Sequence, residues 1–241
     1  MTAPVSGISD GATRIAVFGG TFNPPHAGHV ACLRIALDEF GDRIERIVVV
    51  PQNEPYYKEA ESASPDERLE MCRLAFGGMP KVEVSDLDIA RGGVTYTVDT
   101  LADIARIYPR QARPVFILGA DSFATLSWWK ESERIQREAT FLVIPRGDAR
   151  VIEPATKAAG EVWLADETAP DLSSTGIRER LKHGESVIGD VPEAVICYIR
   201  ERNLYRADMH MNEPIDVYSD EFLEARKREL SGRVGQKRYD H

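Results

Sequence analysis

The chain is poor in cysteine and has no excess of positive charge. Its three cysteines, Cys32, Cys72 and Cys197, are far apart, odd in number and without C-x-x-C spacing. This argues against a disulfide framework or a zinc ribbon and suits a reducing cytoplasm. Acidic residues outnumber basic ones by 39 to 30, a formal net charge of −9, whereas a general nucleic-acid-binding surface needs a basic field. No apolar run approaches the ~18 residues of a membrane span, and the first residues lack the basic and apolar regions of a signal peptide. There is no internal repeat or low-complexity block. The G-x-G-x-x-G fingerprint and the Walker lysine are missing too, so the usual dinucleotide and P-loop readings do not apply. A polyanionic ligand would have to be held by another device.

What is present is an alternation of strands, loops and helices along a 241-residue chain, long enough for one well-buried α/β domain with appendages. An apolar strand, Arg14 to Phe18, enters the loop Gly19-Gly20-Thr21-Phe22-Asn23-Pro24-Pro25-His26-Ala27-Gly28-His29, and a helix follows to Phe40. The β-branched run Arg46 to Val50 suits a strand buried on both faces. Gln52 to Pro65 has no periodic pattern and reads as a long loop with Lys58 as its anion contact. A helix from Pro65 should bury Leu69, Cys72, Leu74 and Phe76 and end at Gly77-Gly78. Strands are expected at Lys81–Ser85, Pro114–Leu118, Thr140–Ile144 and Glu161–Ala165. Helices are expected from an N-cap at Thr97 to about Tyr108, from Ser173, and over Val191–Asn203 with Val195, Ile196 and Ile199 inward. The order predicts an α/β fold, a Rossmann-like doubly wound parallel sheet, with residues 1–13 as a leader, 14–206 as the domain and 207–241 as a C-terminal appendage.

Four segments, around 19–29, 95–97, 119–121 and 173–178, lie where a strand or loop hands over to a helix. In a doubly wound sheet such segments share the ligand-binding edge. His26 and His29, three apart at a helix start, place two imidazoles beside N–H groups that have no intrahelical partner. Taken alone they fit polar capping or half a metal site as well as an anion site, but no acidic or cysteine partner stands at ligand spacing. Ser173 reads as a helix cap and Trp128 as core packing.

The loop at 19–29 resembles the signature of the adenylyltransferase branch of the nucleotidyltransferase superfamily, and Ser-Ser-Thr-Gly-Ile-Arg at 173–178 resembles its second signature. Thr-Tyr-Thr-Val-Asp-Thr-Leu at 95–101, Gly-Ala-Asp-Ser at 119–122 followed by Trp129, and the stretch 191–205 narrow the resemblance to the bacterial nicotinate-nucleotide adenylyltransferases. That resemblance implies a nucleotidyltransferase-type fold and transfer of AMP from ATP to nicotinate mononucleotide, giving nicotinate adenine dinucleotide and pyrophosphate in NAD biosynthesis. Mg²⁺ would be held by the ATP phosphates, and Asp121 would contact ribose or help place that metal. By the same resemblance, His29 contacts the α-phosphate, His26 supports the phosphates, and the 173–178 motif with Arg178 grips the β- and γ-phosphates. Gly19, Gly20, Thr21, Phe22, Gly119, Asp121, Ser174, Thr175 and Ile177 complete the ATP side, with Lys58 and Arg146 as further phosphate contacts. Asn23, Thr95, Tyr96, Thr97, Asp121 and Trp129 form the mononucleotide side, with Trp129 stacked on the pyridine ring. Many relatives carry Asp where this chain has Asn23, which should remove a charge beside the phosphates. The alternatives are an amide-preferring or other phosphate-acceptor adenylyltransferase, or a silent nucleotide-binding protein. No nucleic-acid or membrane partner is expected, and homo-oligomerisation is left open.

Overall fold

A computed structural model describes residues 13–54, 63–109, 113–147 and 161–205. Lys58, the connection at 149–160 and the C-terminal appendage lie outside the described residues, as does nearly all of the leader.

Six strands pair edge to edge, all parallel: β1 (Arg14–Gly20), β2 (Ile44–Pro51), β3 (Val82–Val84), β4 (Val115–Gly119), β5 (Thr140–Ile144) and β6 (Val162–Leu164). Their order is β3-β2-β1-β4-β5-β6. The chain therefore builds outward from β1 in one direction and then returns to build from its other side. The reversal falls between β1 and β4, and the crevice outside their carboxyl ends is where open sheets of this type bind ligands.

Side-chain alternation along β1 assigns the two faces. Ala16 and Phe18 join Cys32, Leu33 and Ala36 of α1 (Ala27–Phe40) and Cys72 and Phe76 of α2 (Pro65–Phe76) in one core. Ile15 and Val17 join Val98, Leu101 and Ile104 of α4 (Thr97–Ile107), Phe123 of α5 (Ala120–Ala124) and Ile135 of α6 (Ser132–Glu138) in the other. A smaller cluster packs α7 (Ser174–Lys182) and α8 (Glu193–Glu201) against Met71 and Ala63 through Ile177, Val195, Ile196 and Ile199. With helices on both faces the β2 run is buried from Ile47 to Pro51, as its unbroken apolar character predicts.

Two local expectations are revised, and one further element is present. In α2 Leu74 is exposed, and Met71 and Arg68 are buried in its place; Arg68 lies four residues before Cys72 on the same helical face. A short helix, α3 (Leu87–Arg91), precedes α4, held by buried Asp88, which accepts hydrogen bonds from Thr100 and Arg91. Tyr96, not Thr97, is the N-cap of α4, with an extended backbone and no side-chain cap bond.

The described chain ends at Tyr205, in the left-handed region at φ 63°. Its hydroxyl donates to Oδ1 of Asn23 at 2.7 Å, so the last described residue touches the first loop. Burial raises the phenol pKa, which keeps it a donor. Tyr205→Phe should lower stability to urea by about 1–2 kcal/mol, the worth of a buried hydrogen bond. An unchanged unfolding midpoint would show that the contact is idle.

Candidate active site

The loop after β1 is shaped by its own buried side chains. Phe22 has φ 51° and is almost fully buried, its ring edge-on to Phe18, Phe76 and His29. The Asn23–Pro24 peptide bond is cis. His26 then begins α1 with an extended backbone. Its backbone N–H donates to Nδ1 of His29 at 3.2 Å, and the two imidazoles stack with centroids 3.7 Å apart.

That hydrogen bond fixes a tautomer. Nδ1 of His29 is the acceptor, so a neutral His29 carries its proton on Nε2. Both imidazoles are held neutral: His26 falls to about 4, chiefly through burial with Arg146 adding to it, and burial, His26 and Arg146 hold His29 well below the ordinary range. The rings differ in access. His26 is 2% exposed and its Nδ1 has no hydrogen-bond partner, whereas His29 is only half buried. Gly28 lets His26 pack this way: a Cβ there would lie 3.0 Å from Nδ1 of His26 and 3.2 Å from the carbonyl oxygen of Pro170.

The second motif closes on the first. Ser174 donates its hydroxyl proton to the carbonyl of Pro24 at 2.9 Å, and Arg178, 8% exposed, donates from Nη1 to the carbonyl of Asn23 at 2.9 Å and from Nη2 to Oγ1 of Thr175 at 3.3 Å. Ser173 is the cap it was expected to be, its Oγ accepting the N–H of Gly176. On the β4 side Arg146 runs beside Gly119, where a Cβ would lie 3.3 Å from its Nε. Arg146 has no carboxylate partner among the described residues. The structure thus gathers Gly19, Gly20, Thr21, Phe22, His26, His29, Gly119, Arg146, Ser174, Thr175 and Arg178 around the β1/β4 crevice.

Other predicted residues are placed differently. Asn23 is 1% exposed, and its Oδ1 accepts from the backbone N–H of Ala63 and the hydroxyl of Tyr205. Its amide organises the interior, so the expectation that residue 23 sets the charge beside the phosphates is revised. The Ile177 side chain belongs to the third core. Thr95 is buried with Oγ1 accepting the N–H of Asn53. Tyr96 lies beneath Lys130, whose Nζ is 4.0 Å from the ring centroid and 3.6 Å from Asp99. Thr97 opens α4 and Asp121 is exposed in the first turn of α5. Trp129 is half buried, edge-on to Phe116, with Nε1 3.4 Å from Oγ1 of Thr125. Trp128 is 85% exposed and does not pack in the core; the turn Leu126–Trp128 directs Leu126 inward instead.

Two buried residues went unread in the sequence. Arg68 donates to the carbonyls of Thr21, Asn53 and Ala63, and Tyr205 reaches Asn23. The helical spacing 68, 72, 76 was the available signal for Arg68; nothing local marked Tyr205.

The glycine turn, the half-buried His29 at the start of α1 and Arg146 beside Gly119 stand at the switch point of a doubly wound sheet, where folds of this class bind their ligands. Residues 17–180 match the family described as Cytidylyltransferase-like. A protein of Dehalococcoides mccartyi named "Probable nicotinate-nucleotide adenylyltransferase" is 38% identical over 196 residues, 78% of this chain and 95% of that protein. One of the same name from Corynebacterium glutamicum is 37% identical over 81% of this chain and 89% of its own length. The solved Plasmodium falciparum nicotinic acid mononucleotide adenylyltransferase complexed with NaAD shares the fold, with TM-score 0.68 and 23% identity over 80% of this chain and 97% of that one. The chain belongs to the cytidylyltransferase-like family and, within it, to the nicotinate-nucleotide adenylyltransferases.

The neutral histidines link stability to pH. Their folded pKa values lie below the ordinary 6.5, with His26 near 4, so on acidification the unfolded chain takes up protons first. Their contribution is complete above about pH 6.5 and is lost as pH falls toward 4. In urea titrations across that window, His26→Asn should flatten the decline; an equally steep decline would place the linked protons elsewhere.

Proposed function

We propose that this chain transfers AMP from ATP to nicotinate mononucleotide, releasing pyrophosphate and nicotinate adenine dinucleotide. The observation that carries the reading is the closure of the 173–178 motif on the 19–29 loop beside the β1/β4 crevice, through Ser174 to Pro24 and Arg178 to Asn23. Relatives named for this activity, at 38% and 37% identity, support it.

A phosphate oxygen of the mononucleotide attacks the α-phosphorus in line, and the bond from that phosphorus to the pyrophosphate oxygen breaks. The nucleophile is already ionised at neutral pH, so no general base or enzyme nucleophile is required, and rate comes from alignment and charge stabilisation. Nε2–H of His29 is the donor assigned to the α-phosphate oxygens. Being neutral, it stabilises developing charge by hydrogen bonding. Arg146 and the start of α7 are assigned to the leaving phosphates, while Arg178 holds the loop from behind through the Asn23 carbonyl. Mg²⁺ carried by the ATP phosphates would neutralise the leaving pyrophosphate. Asp121 is assigned to ribose or to placing that metal, and Trp129 with the backbone near Thr97 to the pyridine ring and its carboxylate. Cys32, Cys72 and Cys197 are free, and no helix among the described residues is long and apolar enough to cross a membrane; a cytoplasmic enzyme is the reading these support.

Pyrophosphate release from ATP should be fastest with nicotinate mononucleotide among nicotinate, nicotinamide and pantetheine phosphate acceptors; faster turnover of the amide would overturn the acceptor assignment. His29→Ala should lower kcat by roughly 10²–10³, the scale of losing one transition-state donor, and a near-normal rate would remove it from the chemistry. Trp129→Ala should raise KM for the mononucleotide more than for ATP. Equal shifts would leave that residue to its packing against Phe116.

A further inference from the structure

The buried guanidinium of Arg68 is used by none of the steps above. It is 1% exposed on α2 and donates to three backbone carbonyls from different segments: Nη1 to Thr21 at 2.9 Å, Nη2 to Asn53 at 2.6 Å and Nε to Ala63 at 3.2 Å. Thr21 belongs to the phosphate loop, whose Gly20 carbonyl also accepts the N–H of Gln52. Asn53 carries the connection onward. Its N–H donates to Oγ1 of Thr95, its Nδ2 to the carbonyl of Gly93, and the N–H of Thr95 returns to the carbonyl of Glu54. A continuous chain of hydrogen bonds therefore runs from the loop assigned to ATP, through one guanidinium, to the segment that starts α4 and is assigned to the mononucleotide.

We propose that Arg68 is a positioning residue that sets the spacing between the ATP and mononucleotide subsites; this rests on the function proposed above. The guanidinium suits the task because its donors sit in a rigid plane at fixed angles. Lysine offers a compact ammonium on a flexible stem and cannot reproduce that fork. In a transfer between two bound anions, displacement of one subsite by an ångström acts on the aligned state and can cost about 10²-fold in rate while each substrate still binds. A residue that only anchors α2 would act on stability alone.

The test compares Arg68→Lys and Asn53→Ala with the wild-type chain, with kcat counted per ATP-binding site so that unfolded protein does not enter. Arg68→Lys should keep KM for ATP and for nicotinate mononucleotide within about 3-fold and lower kcat by about 30–100-fold. Asn53→Ala, which breaks the link to Gly93, should lower kcat by about 5–10-fold in the same pattern. Amide hydrogen exchange of the ligand-free protein needs no turnover. Arg68→Lys should speed exchange at Thr21 and Phe22 and at Thr95 to Thr97 together. Wild-type kcat per site in Arg68→Lys, or faster exchange confined to α2, would overturn the proposal. If Arg68→Lys does not fold, Asn53→Ala and Thr95→Val decide by the same measures, and a wild-type kcat in both overturns it. Preference of the wild-type chain for another acceptor would overturn the function while the exchange result still judges the strut.

Discussion

The site depends on two carbonyl oxygens. Those of Asn23 and Pro24 point into the protein from the first loop and are met by Arg178 and Ser174, about 150 residues further along the chain. A loop with a left-handed phenylalanine and buried prolines exposes carbonyls that cannot all bond within the loop, and an unmet buried carbonyl is costly. The donors come from the first turns of α7, itself seated by Ile177 against α2 and α8. Packing in the smallest of the three cores thereby fixes the shape of the loop that presents His29.

Burial also decides what the histidines are. Two stacked imidazoles beside an arginine would repel if charged, and desolvation acts in the same direction. The outcome is a pair of neutral rings, one sealed and one half open, with the open one protonated at Nε2. A neutral donor needs no counter-charge, and among the described residues Arg146 stands beside Gly119 without a carboxylate partner. Glycine at 28 and at 119 makes room for the His26 ring and for the Arg146 side chain.

The fold was largely legible, because the β-branched runs at 46–50 and 140–144, the glycine turn and the capping serine report directly on backbone preference. The parallel direction of the strands followed from β-α-β alternation, whereas their order is a finding of the structure. Legibility failed where a polar side chain works inside the protein. Arg68 has a residue type that usually marks a solvated face, and only its spacing from Cys72 and Phe76 hinted otherwise. Asn23 sits in a ligand-binding motif, yet its amide is held by Tyr205, a contact spanning nearly the whole domain that no local pattern encodes. With the tryptophan pair, adjacency suggested one core ring, but Leu126 fills that role and Trp128 turns outward.

The central claim is that burial and the His26 N–H hold His29 as a neutral ring presenting Nε2–H to the α-phosphate. Nitrogen-15 NMR of the side chain, with and without a non-hydrolysable ATP analogue, tests it most directly. The account predicts a bare Nδ1 and a protonated Nε2 in the free protein at neutral pH, with the analogue perturbing Nε2 in wild type and no such signal in His29→Ala. An imidazolium or an Nδ1-protonated ring in the free protein, or an analogue that leaves Nε2 untouched, would contradict it.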